Sequence, residues 1–347
     1  SNKHVETVAR HVLDAINQEY QVGSHQIYVS TSIGITFYPD DGVTLDTLLK
    51  NADSAMYLAK DKGRSTYHFF TQELNIQAKA RLALETDLRK ALEHNEFQLY
   101  FQPLISLNNG KVVGAEALLR WNREGEVVSP AVFIPALEET GLILNVGNWV
   151  LETACQTARM WREKGYSDLV VAVNLSIKQL RQSSIVDQVR NALARVELSP
   201  DTLELELTES SLIDSDLSQQ NLKELERLGV RLAIDDFGTG YSSLSYLRQF
   251  KVDGLKIDRS FIQDIRKDTH DEAITAAIVT LCHTLGMRVT AEGVETTEQL
   301  AFLRKLECQV VQGFLIARPM PGDVFLDWLN TYASDEGNVW SQLTEQS

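Results

Sequence analysis

From residue 97 onward, short apolar runs alternate with segments of helical spacing. Strands are predicted at Phe97–Leu107, Val112–Leu119, Leu169–Leu175, Leu203–Thr208, Arg231–Ile234, Gly254–Ile257, Arg288–Ala291 and Gln309–Phe314. Between them the spacing predicts helices such as Asn148–Lys164, Ile177–Arg195, Leu217–Leu228, Asp271–Leu285 and Thr296–Leu306. This order is that of parallel strands joined by crossover helices, and eight such strands in about 250 residues predict a closed barrel. One connection differs: Asn108-Asn109-Gly110 is too short for a crossover helix and predicts a hairpin, so strand one runs antiparallel to strand two. The expected fold is α/β, a modified TIM (β/α)8-type barrel with an antiparallel first strand, preceded by a smaller α/β fragment.

That fragment occupies the first 70 residues. Val5, Val8, Ala9, Val12, Leu13 and Ile16 give His4–Ile16 a helical stripe, and Ile27–Phe37 is rich in strand-forming residues. Pro39-Asp40-Asp41-Gly42 reads as a turn, and Leu45–Lys62 as a helix stopped at Gly63. Thr71–His94 is a polar helix with a narrow leucine stripe. We expect a first domain over 1–70, a linker helix over 71–78, the barrel over 79–335 and a tail over 336–347.

The 347 residues, 44% hydrophobic and 23% charged, have globular composition, which excludes collagenous and wholly disordered readings. A formal charge of −15 argues against duplex nucleic acid as a partner. A phosphate-bearing ligand would need local positive charge, which carboxylate-bound metal ions can supply. Cys155, Cys282 and Cys308 lack CxxC spacing and read as free buried thiols in a reducing compartment. No apolar run approaches bilayer length and the start lacks a signal-peptide pattern, so no membrane segment is expected in this chain. A longer parent protein could still carry membrane or sensor domains upstream.

Candidate chemistry gathers at the strand ends. After the first strand, each carries a polar residue in or just beyond its C-terminal half: Glu116, Asn174, Glu206, Asp235 with Asp236, Lys256, Glu292 and Gln312. Barrel interiors are filled mainly by branched apolar side chains, and barrel active sites sit at the C-terminal face, so the pattern points to a catalytic mouth. Carboxylates plus an amide oxygen, without His or Cys, suit Mg²⁺ or Mn²⁺ rather than zinc. Two such ions would relieve the repulsion among the acids and could activate a water for in-line attack on a phosphodiester. Lys256 could then stabilise the attacking hydroxide, and Arg120 could pair with a phosphate oxygen. Plainer readings stand beside these. Glu116 and Glu206 could be rim ion-pair partners, Asn174 a helix cap, Asp235-Asp236 a strand-to-helix turn and Lys256 a solvated end. Glu204 and Asp258 read as structural or supporting acids.

Glu116-Ala117-Leu118 within GAEALLRW, VNLS at Val173–Ser176, ELTES at Glu206–Ser210, IDDFGTGYSSL at Ile234–Leu244, LKIDRSFI at Leu255–Ile262, AEGVET at Ala291–Thr296 and QGF at Gln312–Phe314 occur in one ordered series. Together they resemble the EAL-domain family of cyclic di-GMP phosphodiesterases, over about residues 79 to 335. The resemblance implies a dimer-forming barrel that hydrolyses cyclic di-GMP to linear pGpG with two Mg²⁺ or Mn²⁺ ions. By motif match, Glu116, Asn174, Glu206, Asp235, Asp236 and Glu292 would be metal ligands or their close supports. Lys256, Glu292, Glu116 and Asp235 would carry the chemistry. Leu118, Arg120, Gln102 and Gln312 are assigned to the substrate, Gln312 and Lys256 also to its water network. Glu209 would anchor the loop after Asp236, with Glu295 in a similar role. Departures lie at the rim: QGF where QGY is usual, and ARPMP at Ala317–Pro321 where SKPLP is common, which bears on substrate affinity rather than on the reaction.

SIGITFYPDDG at Ser32–Gly42 and LLKNADSAMYLAKDKGRSTYHFF at Leu48–Phe70 resemble the C-terminal third of a GGDEF, or diguanylate cyclase, domain. Its GTP-binding signature loop is absent from this chain, so no cyclase activity is expected from the fragment. The expected function is that of a cytoplasmic, metal-dependent cyclic di-GMP phosphodiesterase. The alternative is a catalytically silent cyclic di-GMP receptor, which would be expected to have lost one or more of the acids. A general two-metal nuclease is disfavoured by the acidic charge and the lack of a basic aromatic groove.

Overall fold

The computed structural model describes residues 2–22, 25–61, 63, 65–209, 211, 215–238, 250–266 and 269–334. Expectations for Ser210, for residues 239–244 of the Ile234–Leu244 motif and for the tail at 336–347 lie outside the described residues. The chain divides into two compact units, residues 1–87 and 88–347.

The first unit contains helices Asn2–Ile16 and Leu45–Asp61 and two small sheets. Strands β1 (Glu19–Val22) and β2 (His25–Tyr28) form an antiparallel hairpin, while β3 (Ile33–Ile35) and β4 (Tyr67–Phe69) run parallel. The stretch Ile27–Phe37 therefore holds the end of one strand and the whole of another. Between them the Thr31 amide donates to the Asn17 side chain instead of to a ladder. Gly34 has a steric reason: an added Cβ would lie 1.9 Å from the Ala52 carbonyl oxygen, so helix Leu45–Asp61 lies directly on β3. The turn after Phe37 closes as expected, with the Phe37 amide donating to the Asp41 carboxylate at 2.6 Å. Thr71–His94 forms one helix, Gln72–Glu93.

The second unit is a closed barrel. Its strands are β5 (Phe97–Ser106), β6 (Val112–Arg123), β8 (Val170–Asn174), β9 (Leu203–Thr208), β10 (Arg231–Phe237), β11 (Gly254–Ile257), β12 (Arg288–Ala291) and β13 (Val310–Val311). They pair in the order β5-β6-β8-β9-β10-β11-β12-β13, and β13 closes back onto β5. β5 is antiparallel to both β6 and β13, and every other pair in the ring is parallel, as the short Asn108–Gly110 connection predicts. Two short strands lengthen the rim: β7 (Glu126–Val128) pairs with β6, and β14 (Met320–Pro321) with β5.

Several elements differ in extent from expectation, among them the helix Ile143–Glu163, which starts before Asn148, and the strands Val112–Arg123 and Arg231–Phe237, which run longer; two further differences have a visible partner. The helix over Ile177–Arg195 is split into Ile177–Leu180 and Ile185–Arg195. The break has a partner, because Asn221 Nδ2 donates to the carbonyls of Leu180 at 2.6 Å and Gln182 at 3.0 Å. The strand over Gln309–Phe314 shortens to Val310–Val311, since Gly313 turns against Val294 and the Val294 amide donates to the Gln312 carbonyl. All three cysteines are free and buried. Among the described residues, no helix is long and apolar enough to cross a membrane.

Register sets what the barrel presents at its mouth. Gln102 lies opposite Glu116, Asn174 beside Glu206, and Asp235 beside Thr208. Below them the interior narrows onto the cluster of Leu104, Ala172 and Val310, with Gly114 in register with Val170. An added Cβ at Gly114 would meet the Val170 carbonyl oxygen at 2.3 Å. Among the described residues the tryptophans, Trp121, Trp149, Trp161 and Trp328, all lie in the barrel unit, so their fluorescence reports it. Gly114→Ala is expected to lower barrel stability by roughly 1–3 kcal/mol in urea unfolding followed by that fluorescence. An unchanged midpoint would show that the strand pair tolerates a side chain there.

Candidate active site

Lys256 sits on β11, whose four residues are all buried, and is itself 2% exposed. An ammonium at that depth must be paired. Its Nζ lies 2.6 Å from Glu292, 2.8 Å from Glu206, 3.3 Å from Glu116 and 3.4 Å from Asp235. These acids come from β9, β6, β10 and the turn after β12, so only the closed barrel brings them together. Glu116 and Glu206 are thus not rim residues, and Lys256 is not a solvated end.

Asp235 and Asp236 owe their shared position to a bulge. The β10–β11 register shifts between Ile234 and Phe237, and Asp236 adopts a positive φ of 54°. In a regular strand successive side chains point to opposite faces. Here carboxylate oxygens of Asp235, Asp236 and Glu292 lie within 4.8 Å of one another.

Amides fix the other side. Asn174 Nδ2 donates to Glu116 at 2.7 Å, while Ser176 caps the following helix, so Asn174 belongs to the site rather than to the cap. Gln312 Nε2 donates to Glu116 at 2.7 Å and to the Gln102 side-chain oxygen at 2.9 Å. Gln102 in turn donates to the Ala317 carbonyl at 3.1 Å.

Burial and charge set the protonation of this cluster. Burial opposes charge on Lys256, but the carboxylates of Asp235, Glu116, Glu206 and Glu292 outweigh it and hold the ammonium well above its ordinary pKa. Burial also pushes Glu116 upward, yet the Lys256 charge and the Gln312 and Asn174 hydrogen bonds leave it below the ordinary value. Burial and then the Glu116 charge raise Glu206 well above the carboxylate range. Glu292 is pushed up to about 8, by burial first, against the pull of Lys256. Asp236 rises to about 6 through burial and the adjacent Asp235 charge.

The cluster therefore holds more acid than one ammonium neutralises. Glu206 Oε1 is buried without a hydrogen-bond partner, and the donors are oxygen throughout. This is the environment of a hard divalent cation.

Above the cluster opens a cavity of about 230 Å³ lined by Gln102, Glu116, Leu118, Asp235, Arg259, Glu292, Glu295, Gln312 and Phe314, with Gly293 and Gly313. Arg120 stands outside that lining, 5.6 Å over the Tyr100 ring and donating to the Leu119 carbonyl. Glu209 reaches the Gly238 amide at 3.5 Å, at the start of the loop it is expected to anchor. Arg259 and Gly293 join the cavity although neither was expected there, whereas Phe314 belongs to the QGF segment expected at the rim. For Arg259 and Gly293 the signal in the sequence was position alone, directly after Asp258 and Glu292. Gly293 has φ 68°, and a Cβ there would stand 2.6 Å from Arg259 Cβ.

The chain is similar to known proteins over most of its length. The EAL domain pattern matches residues 85–319, and the diguanylate cyclase GGDEF domain pattern matches residues 1–66. The chain is 47% identical over 322 residues to MucR of Pseudomonas aeruginosa, named a bifunctional diguanylate cyclase/cyclic di-GMP phosphodiesterase, covering 92% of this chain and 47% of MucR. It is 38% identical to the cyclic di-GMP phosphodiesterase PdeR of Escherichia coli, covering 96% of this chain and 50% of PdeR. The chain thus spans about half the length of these relatives. A solved structure of the MucR phosphodiesterase in complex with c-di-GMP superposes with a TM-score of 0.68 at 47% identity, covering 70% of this chain and 99% of that one. The EAL domain of Mycobacterium smegmatis DcpA gives a TM-score of 0.60 at 34% identity, covering 68% and 98%.

Removing Lys256 would leave four carboxylates facing one another. Lys256→Met is expected to cost the barrel about 3–5 kcal/mol in chelator, with part of the loss restored by Mn²⁺. Urea unfolding with and without the ion measures both, and an unchanged stability in chelator would refute the central role of the ammonium.

Proposed function

The chain belongs to the EAL domain family, and on that premise we propose that it hydrolyses cyclic di-GMP to linear pGpG in a metal-dependent reaction. One observation carries the reading: acids from separate strands converge on a buried lysine beneath an open cavity, with three carboxylates close enough to share a cation. Asp235, Asp236 and Glu292, with Glu116, Asn174 and Glu206 beside them, would hold two Mg²⁺ or Mn²⁺ ions. Such ions, when bound, lower the pKa of a coordinated water and stabilise charge on a phosphodiester.

The chain's own residues do the rest. Lys256 gathers four carboxylates toward one point and presents positive charge to the attacking oxygen. Gln312 and Asn174 lock the Glu116 carboxylate from two sides. Arg259 brings a cation to the cavity wall, where a phosphate oxygen can pair with it. Gln102 and Leu118 line the substrate side of the same cavity, and Arg120 stands nearby to meet the second phosphate. In the reaction a water oxygen bonds to phosphorus as one ester P–O bond breaks in line, leaving a 5′-phosphate and a free 3′-hydroxyl. Glu209 and Glu295 would hold the adjoining loops. The homodimer and the cytoplasmic setting implied by the resemblance belong to the same proposal, as does the barrel domain over 79–335. The receptor alternative is disfavoured because Glu116, Glu206, Asp235, Asp236 and Glu292 are all present.

Purified protein mixed with cyclic di-GMP and Mg²⁺ or Mn²⁺, with EDTA in parallel, should yield pGpG by chromatography only when metal is free. Binding without product would favour the receptor. Glu116→Ala and Asp235→Ala are expected to lose more than the roughly 10- to 100-fold typical of an outer ligand support, and to lose metal binding with it. Normal turnover by Glu116→Ala would overturn the ligand assignment.

A further inference from the structure

The flank of the barrel carries a second cavity, of about 600 Å³, apart from the mouth. It lies between helix Ile143–Glu163 and helix Ile185–Arg195, and shares no lining residue with the cavity above the acids. Both helices return from one parallel strand to the next, so they run in the same direction. Their facing sides have an unusual composition. Asn145 and Asn148 stand on the first helix, Gln188 and Asn191 on the second, and Gln182 on the turn before it. Asparagine is a poor helix former, and Lys, Glu or Arg would each suit an exposed helix position better. Here three asparagines and two glutamines face one space.

The walls of this groove are fixed. Gly147 lets the turn below it approach, since an added Cβ would lie 2.1 Å from Gln179 Nε2, and Gln179 is held in a capping box with Ser176. Asn221 Nδ2 then pins the Leu180 and Gln182 carbonyls. At the far end Glu152 Oε1 accepts from Asn148 at 3.2 Å and from Arg195 at 2.8 Å, so the two charged residues of the lining are paired. Gln188 donates to Ser184 Oγ at 3.3 Å. The side chains of Asn145, Gln182 and Asn191 have no hydrogen-bond partner among the described residues.

What such a lining recognises follows from its chemistry. The paired charges offer little to an ion, and the lining holds no aromatic ring on which a base or a sugar would stack. A carboxamide donates and accepts at once, so a set of them matches a ligand in which donors and acceptors alternate. The peptide main chain alternates them at every residue. The spacing agrees: at 1.5 Å per residue, Gln188 to Arg195 spans roughly 10 Å, the length of about three residues of extended chain.

We propose that this groove binds an extended peptide segment of another protein through its main chain, with Asn145, Gln182, Gln188 and Asn191 as the recognising side chains. The site stands apart from the acids and does not depend on the reaction assigned to them. Because the walls are already in place, the ordering cost of binding falls on the peptide.

The probe is an array of blocked octapeptides of random sequence. It is screened with the whole chain and with the triple variant Asn145→Ala/Gln188→Ala/Asn191→Ala, and the peptide that most favours wild type is resynthesised with a fluorescent label. Its affinity is then measured by anisotropy on wild type and on each single variant, with urea midpoints to show that the variants are folded. Each lost hydrogen bond should weaken binding roughly 2- to 12-fold. N-methylation of the peptide at alternate residues, which keeps its side chains and removes main-chain donors, should weaken binding to wild type by at least as much. Alanine replacement of the peptide's side chains should cost less than N-methylation. If no peptide distinguishes wild type from the triple variant, or if the N-methylated peptide binds as well as its parent, the amides serve only to face solvent and the peptide site is overturned.

Discussion

One buried ammonium organises the mouth of the barrel. Lys256 lies where water cannot solvate it, and four carboxylates surround it at 2.6 to 3.4 Å. Neither side of this arrangement is tolerable alone. A lysine at 2% exposure without partners would lose its proton, and four acids without a cation would repel one another or take up protons. The two demands are met in the same volume, and the remainder of the negative charge shows in the upward displacement of Glu206 and Glu292. The site is thus held together and under-neutralised at once, which is the condition for further cation binding.

Barrel closure is what makes that pairing possible. Glu116 and Glu292 are far apart in sequence and become neighbours because β13 returns to β5, and β5 to β6. Close packing at Gly114 lets β6 and β8 approach, and the bulge at Asp235-Asp236 turns two successive side chains toward one place. That bulge holds a non-glycine residue in the left-handed region, a conformation that costs free energy and persists where the surroundings impose it. This one irregularity falls where the carboxylates must converge.

What could be read from the sequence follows the same division. Strands Leu203–Thr208, Gly254–Ile257 and Arg288–Ala291 match their expected bounds, because each is a short apolar run between turn residues. The antiparallel first strand was legible from a three-residue connection. The acids were legible because a carboxylate in an apolar strand end has no packing explanation. The four-way pairing of Lys256 was not, since it depends on barrel closure rather than on local pattern. The break in Ile177–Arg195 depends on Asn221, some forty residues away, and the shortened last strand on the contact of Gly313 with Val294. Phe314 was legible only as a departure from the usual motif, since its exposure beside the cavity depends on how the turn after β13 folds.

The acids and the rim of the cavity are built from different materials. Most of the carboxylates and Lys256 stand on or at the ends of strands whose register is set by the whole barrel, so a change there disturbs several neighbours at once. Phe314 stands on a turn tied down by backbone hydrogen bonds, in which the Leu315 amide donates to the Val294 carbonyl and the Ile316 amide to the Gly313 carbonyl. A protein that only binds a dinucleotide needs the rim and can lose acids. One that cleaves it needs the floor, including the electrostatically costly gathering of Glu116, Glu206, Asp235 and Glu292. Burying those groups brings no benefit to binding a neutral base and works against binding a phosphate unless cations intervene. Their joint retention around a fully buried lysine is therefore better explained by turnover than by recognition alone.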